Sequence, residues 1–415
     1  MKMMKSLILG SAVAFAATAG AQAADLPVKA KPVSYVKICP QYGPGFYYVP
    51  GTDICLKVGG LVFAEVGYYA AGAITTLATP TNQNAHDLAW RSRGYVSLDA
   101  RTATPYGTLR SYILGGFQQV SGPGTQALAN AAPAAAAYAV NASAFIQYAF
   151  IQFAGFTAGT ANSFFDFSSN YLTLSVASNP WAWTNVFAYT ANLGNGLSAT
   201  ISLEDKSVTR VGNGAVIATQ NVSSDTPDLV ANIRIDQAWG SAQVMAAAHQ
   251  TRWTNGDEWG WAVGAGVELK LPMLGAGDTL KIVGVWSEGA IEYTGLSGSP
   301  YGGIAGIQLG YNGTGAGFLD AAATPGTLTD ASSIMVQYRH FWTPTVQSAV
   351  HAGYNSVSSH ASLGTYAQVT QFGHSLKWAP VKDLTLSLDV LYTEVQANSV
   401  ATDKVATWFR VTRTF

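Results

Sequence analysis

Cysteine occurs only twice in 415 residues, and charged residues make up only 11% of the chain. Two cysteines cannot staple a disulfide mini-scaffold, and a chain of this length would not need one. Ordinary soluble domains carry about a quarter charged residues, and disordered chains are highly charged and poor in aromatics, so disorder is excluded. The 22 basic residues balance 23 acidic ones without any basic block, which argues against a nucleic-acid partner. Long apolar runs are missing too. A membrane-spanning helix needs about 20 consecutive apolar residues. The closest approach, Ala127 to Ala144, is interrupted by Pro133 and two asparagines and reads as a small-residue loop insertion.

What is present is apolar and aromatic: 48% hydrophobic residues, 43 glycines, 20 tyrosines and 11 tryptophans. Length alone would suggest two or three soluble domains, a prior that large barrels break. Abundant apolar surface, few charges and no spanning helix point to a closed transmembrane β-barrel, because only helices and closed barrels satisfy backbone groups in lipid.

Met1 to Ala23 reads as a secretory signal: Lys2 and Lys5 open it, Leu7 to Ala19 are mostly apolar, and Ala21-Gln22-Ala23 is a small-residue cleavage site. Its removal takes the formal charge from −1 to −3. The expected layout is a signal peptide over 1–23, a periplasmic segment over 24–56 and an outer-membrane barrel over 57–415, an all-β antiparallel fold.

Period-two alternation recurs along the chain. Over 384–392 the even positions are apolar, with Thr385, Ser387 and Asp389 on the other face. Leu229, Ala231, Ile233 and Ile235 form one such face, Val96, Leu98 and Ala100 another, and Trp261, Val263, Ala265, Val267 and Leu269 a third. Soluble sandwiches alternate as well, but here charges sit singly on the polar face and aromatics gather near segment ends, as in interfacial girdles. Short connections fall at Thr104 to Gly107, Ala154-Gly155, Leu193 to Gly196, Asp236 to Gly240, Leu271 to Asp278, Phe341 to Thr345 and Pro380 to Asp383. Longer ones rich in Gly, Ala, Ser and Asn lie at about 71–89, 121–143, 161–184, 207–226 and 291–330, with three smaller ones. This alternation of tight periplasmic turns with longer outer loops gives about sixteen strands from about Lys57, a size that leaves an aqueous channel. The last segment ends on Phe415, in parity with Phe409 and Val411, like the terminal aromatic that marks outer-membrane proteins for barrel assembly.

The stretches Tyr35 to Cys39 and Tyr42 to Gly60, with the signal itself, resemble the N-terminal signature of the alphaproteobacterial general porins. Ala149 to Phe153, Leu197 to Glu204, Pro227 to Val230 and Trp239-Gly240-Ser241 match in order, so the resemblance covers essentially the whole chain. It implies a sixteen-stranded, trimeric, passive outer-membrane channel narrowed by an inward-folded third loop. The barrel is also reached from periodicity, whereas the trimer and the folded loop rest on resemblance alone.

Catalytic signatures are absent from the sequence. His86, His249, His340, His351, His360 and His374 form no HExxH spacing, no GxGxxG is complete, and no GxSxG occurs. The expectation is a channel, not an enzyme, with no cofactor and no metal. Its partners would be outer-membrane lipid and lipopolysaccharide, the barrel-assembly machinery, two further copies of itself and small hydrophilic solutes. Cys39 and Cys55, sixteen positions apart in an exported chain, are expected to bond and to fasten the segment just before the first strand.

The pore wall is the candidate site. Arg91, Arg93 and Arg101 share the parity of Ser97 and Asp99, opposite Val96 and Leu98. Arg110 opposes Leu109 on the next strand, and Lys57 and Glu65 share a face of the first. An arginine facing lipid at mid-bilayer costs about 2–4 kcal/mol, so mid-strand arginines should face the lumen. At the headgroup level they could instead snorkel. Relatives resembling this chain carry acidic residues on the third loop, whereas this loop has one carboxylate, Asp166, among Phe164, Phe165, Phe167 and Tyr171. Phe63 also stands where relatives often have a basic residue. Weaker cation preference than theirs, or anion preference, follows. Two alternatives stay open: a substrate-specific channel using the loop aromatics as a stacking track, and an adhesin or receptor barrel working through loop 291–330.

Overall fold

The computed structural model describes residues 37–70, 88–121, 140–174, 176–205, 226–253, 256–296, 328–359, 366–397 and 400–415. The expected signal peptide, most of the alanine-rich run, His86, His360 and most of the loops expected at 71–89, 121–143, 207–226 and 291–330 lie outside them.

A two-residue strand, β1 (Tyr47–Tyr48), precedes the barrel. Among the described residues the barrel has sixteen strands. These are β2 (Cys55–Ala70), β3 (Leu88–Thr104), β4 (Gly107–Ser121), β5 (Val140–Phe153), β6 (Phe156–Asn162), β7 (Trp183–Gly194), β8 (Leu197–Glu204) and β9 (Asp228–Gln237). They continue as β10 (Gly240–Trp253), β11 (Gly256–Lys270), β12 (Thr279–Glu288), β13 (Thr329–Thr343), β14 (Val346–Ser359), β15 (Tyr366–Val381), β16 (Leu384–Ala397) and β17 (Val400–Thr414). Each pairs antiparallel with its sequence neighbours, and β17 returns to pair with β2, from Val405 opposite Ala70 to Thr414 opposite Leu61. That pairing closes the sheet and leaves no edge.

Seven short connections fall where the turn residues put them. At Asn195-Gly196 both residues have positive φ, +51° and +74°, the geometry that matches a tight hairpin to the twist of its strands. The first barrel strand, β2, starts at Cys55, two residues before the expected Lys57, so the disulfide ties the segment ahead of it to the strand itself.

Alternation sorts side chains as the barrel requires. Val62, Val96, Leu98, Ile113, Ile201, Leu229, Ile233 and Leu388 are exposed on the outer face, with Glu65, Asp99, Ser202 and Asp389 buried on the inner one. In water such a band would be a large apolar patch, but against hydrocarbon it is the spanning surface. Exposed aromatics rim both ends: Trp239, Trp342 and Trp378 near the short turns, and Tyr68, Trp90, Trp259 and Trp286 near the long loops.

The N-terminal segment is fastened to the short-turn mouth. Cys39 and Cys55 are bonded, fully buried and packed on Phe46, with Cα atoms 6.0 Å apart. The lumen-facing Arg101 lies 4.8 Å and Lys57 6.0 Å from the centre of the Phe46 ring. Closing a loop of this size contributes about 3 kcal/mol in the chain-entropy model. Replacing both cysteines with serine should therefore lower the thermal midpoint of the heat-modifiable transition while leaving single-channel conductance unchanged. A changed conductance would place the segment in the ion path.

The longest of the short connections, 271–278, is clasped to β13 by Asp278. Tyr338 Oη donates to its Oδ2 at 2.7 Å, His340 Nδ1 lies 2.7 Å from the same oxygen, and Phe341 N donates to Oδ1 at 3.0 Å. Burial would raise this carboxyl, but the hydrogen bonds from His340, Tyr338 and the Phe341 backbone outweigh it and hold it below its ordinary value. A lowered carboxyl contributes stability that is fully present above about pH 4, the ordinary Asp range, and is lost as pH falls through the lower folded value. Asp278→Asn should destabilise the barrel at neutral pH and flatten the acid limb of its stability profile, as read by thermal shift at a series of pH values.

Candidate functional site

Two inner walls of different character face each other across the barrel. The first runs over β17 and β2 to β4 and carries the arginines. Register sets its charge pattern: Arg410, Glu65 and Arg91 stand directly opposite one another on β17, β2 and β3. Glu65, buried, accepts from Nε of both arginines. Arg93 lies opposite Phe63 on β2 and Gln118 on β4, donating to Gln118 Oε1 (Nε at 2.9 Å) and to Tyr95 Oη at 2.7 Å. Phe63 acts as a floor for this tier: the guanidinium carbons of Arg410, Arg91 and Arg93 lie 4.4, 5.5 and 5.6 Å from its ring centre. An aromatic face attracts cations without neutralising them.

Nearer the short turns, Arg101 and Arg110 are directly opposed. Like charges so placed repel, and Asp99 resolves the conflict by accepting two hydrogen bonds from each, at 2.8 to 3.0 Å. Arg110 Nη1 also donates to Gln152 at 3.0 Å. All four arginines singled out from the sequence thus share the inner face, with Val96 and Leu98 outside. Sequence reasoning missed Arg410. Its parity, opposite Phe409 and Val411, was visible, but its partner Glu65 lies 345 positions away. Together these five guanidiniums and two carboxylates leave a formal surplus of three positive charges.

The second wall is covered by the connection between β6 and β7, residues 163–182, which folds inward. Its fixings run along the strands from β8 to β16 and then turn back to β15. Phe164 N donates to Glu204 on β8 at 2.8 Å, Asn232 on β9 to Phe164 O at 2.6 Å, and Arg234 to Phe167 O at 3.0 Å. Lys281 on β12 donates to Ser169 O, Gln337 on β13 accepts from Tyr171 N at 3.0 Å, and Lys377 on β15 donates to Tyr171 O at 2.7 Å. Asp389 on β16 accepts from Thr173 N and from Leu174 N, the latter at 2.8 Å, and Gln371 accepts from Ala177 N at 2.7 Å.

Apolar burial holds the same segment. Phe165, Phe167, Tyr171, Leu172, Leu174 and Val176 are buried with the inward-facing Val230, Met245, Ala262, Val283, Met335 and Leu391. Each fully buried large side chain contributes about 1.5–3 kcal/mol. Two glycines make the room: a Cβ on Gly266 would stand 2.5 Å from the Phe167 ring, and one on Gly373 2.5 Å from Leu172. Burial raises the Tyr171 phenol well above its ordinary value, so it stays neutral.

This geometry bears on two expectations. Three of the four loop aromatics are unavailable as a stacking track: Phe165 is fully buried and Phe167 and Tyr171 nearly so, while Phe164 is half-buried against the same cluster. Asp166, the one loop carboxylate, accepts from Ala182 N at 2.7 Å and so ties the two arms of the loop together. Of the described histidines, His249 pairs with Asp228, His340 with Asp278 and His351 with Gln337, each a partner on the barrel wall or its rim.

A family profile described as the porin subfamily matches residues 25–413. Porin Omp2b of Brucella melitensis is 33% identical over 254 residues, which cover 59% of this chain and 65% of that protein. Porin Omp2a of the same species is 31% identical over 254 residues, covering 59% and 66%. The chain thus matches just under two thirds of the length of these relatives. Among solved structures, the outer membrane channel DcaP of Acinetobacter baumannii superimposes with a TM-score of 0.68 at 15% identity, over 89% of this chain and 99% of that one, a likeness of fold.

Asp389 accepts from two consecutive backbone N–H groups of the loop, and a hydrogen bond to a charged group is worth about 1.5–3 kcal/mol. Asp389→Ala should loosen residues 171–174, raising the size cut-off in liposome swelling and the current noise in single-channel records. Unchanged values in a correctly assembled barrel would mean that the remaining hydrogen bonds and apolar burial hold the loop without Asp389.

Proposed function

The chain belongs to the porin subfamily and its barrel lies in the outer membrane, and on that premise we propose that it is a general diffusion pore for small hydrophilic solutes and ions. One observation carries the reading: a closed sixteen-stranded barrel, apolar outside and charged inside, whose interior is narrowed by a loop hydrogen-bonded to the inner face along β8 to β16. Family membership implies a channel and not an enzyme. The site belongs to the same proposal. Arg91, Arg93, Arg101, Arg110 and Glu65, joined by Arg410, line the constriction opposite the loop that carries Asp166. The positive surplus of that wall gives anions a modest advantage. Assembly as a homotrimer, contact with lipopolysaccharide, export by the 1–23 signal and use of Phe415 by the barrel-assembly machinery complete the proposal.

Burial of the loop aromatics removes the observation that favoured a substrate-specific stacking channel. Most of the loop that would serve an adhesin, 291–330, lies outside the described residues.

The test is the reversal potential in planar bilayers under a salt gradient. Charges on a low-dielectric pore wall act through the local potential. Their reach shrinks with salt, as the Debye length falls from about 10 Å at 0.1 M to about 3 Å at 1 M. Arg91→Ser, Arg93→Ser and Arg110→Ser combined should shift permeability toward cations, and Asp166→Asn toward anions by less. Both shifts should grow in dilute salt. Reversal potentials that stay put in both variants would remove these residues from the constriction.

A further inference from the structure

Beneath the loop, in the half of the barrel near the short turns, lies a cavity of about 310 Å³ that the diffusion reading does not use. Residues 168–171 roof it, and the inner faces of β11 to β15 wall it. Three cations line it, Lys281, Arg339 and Lys377, against a single carboxylate, Glu268, which lies 3.3 Å from Lys281 Nζ. The formal surplus among the lining residues is two positive charges around a small, partly open space. Lys281 and Lys377 each spend one N–H on a loop carbonyl, Ser169 O and Tyr171 O, which also fixes where their remaining donors sit.

Arg339 is held differently. Its guanidinium carbon rests 4.7 Å from the centre of the Tyr171 ring and 5.6 Å from that of Phe341. It has no carboxylate partner among the described residues, and its enclosed Nε donates to no protein acceptor. A buried donor without an acceptor costs free energy and calls for an explanation. Like charges converging on one cavity add to that cost, and a bound anion would remove both. The aromatic faces orient the guanidinium without consuming its hydrogen bonds, leaving a planar fork suited to two oxygens of one ligand. Ser375, on the same inner face as Lys377, donates its hydroxyl to Asp389 Oδ1 and so leaves the cations as the groups that would meet a ligand.

We propose that this cavity is a binding station for a small dianion bearing carboxylate or phosphate oxygens, with Arg339 as its principal contact and Lys281 and Lys377 as flanking charges. The surplus of two matches a dianion, whereas a neutral sugar would leave the cations unpaired. Solutes of that class would pause beneath the loop, so their passage would saturate where chloride's does not. The station adds to the diffusion reading and is tested separately from it.

The experiment is isothermal titration of the detergent-solubilised barrel with succinate, with inorganic phosphate at mildly alkaline pH, with acetate and with maltose, alongside potassium chloride conductance of the same preparation. The expected result is saturable binding of succinate or phosphate, tighter than acetate, with none for maltose. Succinate alone would assign the site to dicarboxylates, and phosphate alone to phosphoryl solutes. Arg339→Gln should weaken binding about tenfold or more, the scale of one charge-assisted hydrogen bond, and Arg339→Lys should restore part of it. Dianions that bind no better than acetate, or an affinity untouched by Arg339→Gln, would overturn the station. If that variant does not assemble, the comparison of dianions with acetate on the natural protein decides alone. Conductance without dianion binding sinks the station and leaves the pore standing, and binding without conductance does the reverse.

Discussion

The structure depends on one constraint: in hydrocarbon, backbone N–H and C=O groups have no water to bond, so each must find a partner within the sheet. A sheet with two edges fails that demand however apolar its outer face. Pairing of β17 with β2 meets it, and the rest follows from the closure. Closure brings the last strand beside the first, and so brings Arg410 to Glu65 and Arg91. It also creates an interior in which a connecting loop can be buried on side chains instead of running over a surface.

The two inner walls divide the work. On β17 and β2 to β4, five arginines and two carboxylates share the inner face, and four of those arginines are bonded to the carboxylates across or along the strands. On β8 to β16, the inner face mixes apolar residues with single polar side chains, and residues 163–182 lie down on it. The polar side chains there serve the loop's backbone, which has no ladder of its own. Gln337, Gln371 and Asp389 accept from its N–H groups, and Asn232, Arg234, Lys281 and Lys377 donate to its carbonyls. A loop without regular structure can be buried only if its backbone is satisfied in this way.

Charge at the arginine wall is consequently less than a count of arginines suggests. Glu65 and Asp99 each serve two guanidiniums, which holds the arginines in place while cancelling part of their field. Arg93 is the exception in its tier, with amide, phenol and ring neighbours in place of a carboxylate. Phe63 belongs to this logic: it lets three guanidiniums share one surface without adding a further charge.

Alternation, turn residues and composition were enough to place the strands, the seven short connections and the inward parity of Arg91, Arg93, Arg101 and Arg110. These are local properties: period two follows from the pleat, and a tight turn needs particular residues at two positions. The two cysteines declared their bond because few residues compete for it. What could not be read was who faces whom. Register across the closure, over 345 positions, decided that Glu65 serves Arg410. The orientation of the loop decided that Phe165, Phe167 and Tyr171 turn to the wall and away from the solute path. A hydrophobic side chain in a loop has no period to betray its direction, and that direction is set by which surface offers it room. Here the room is at Gly266, Gly373 and the apolar patch of the far wall, and only the closed barrel brings those together.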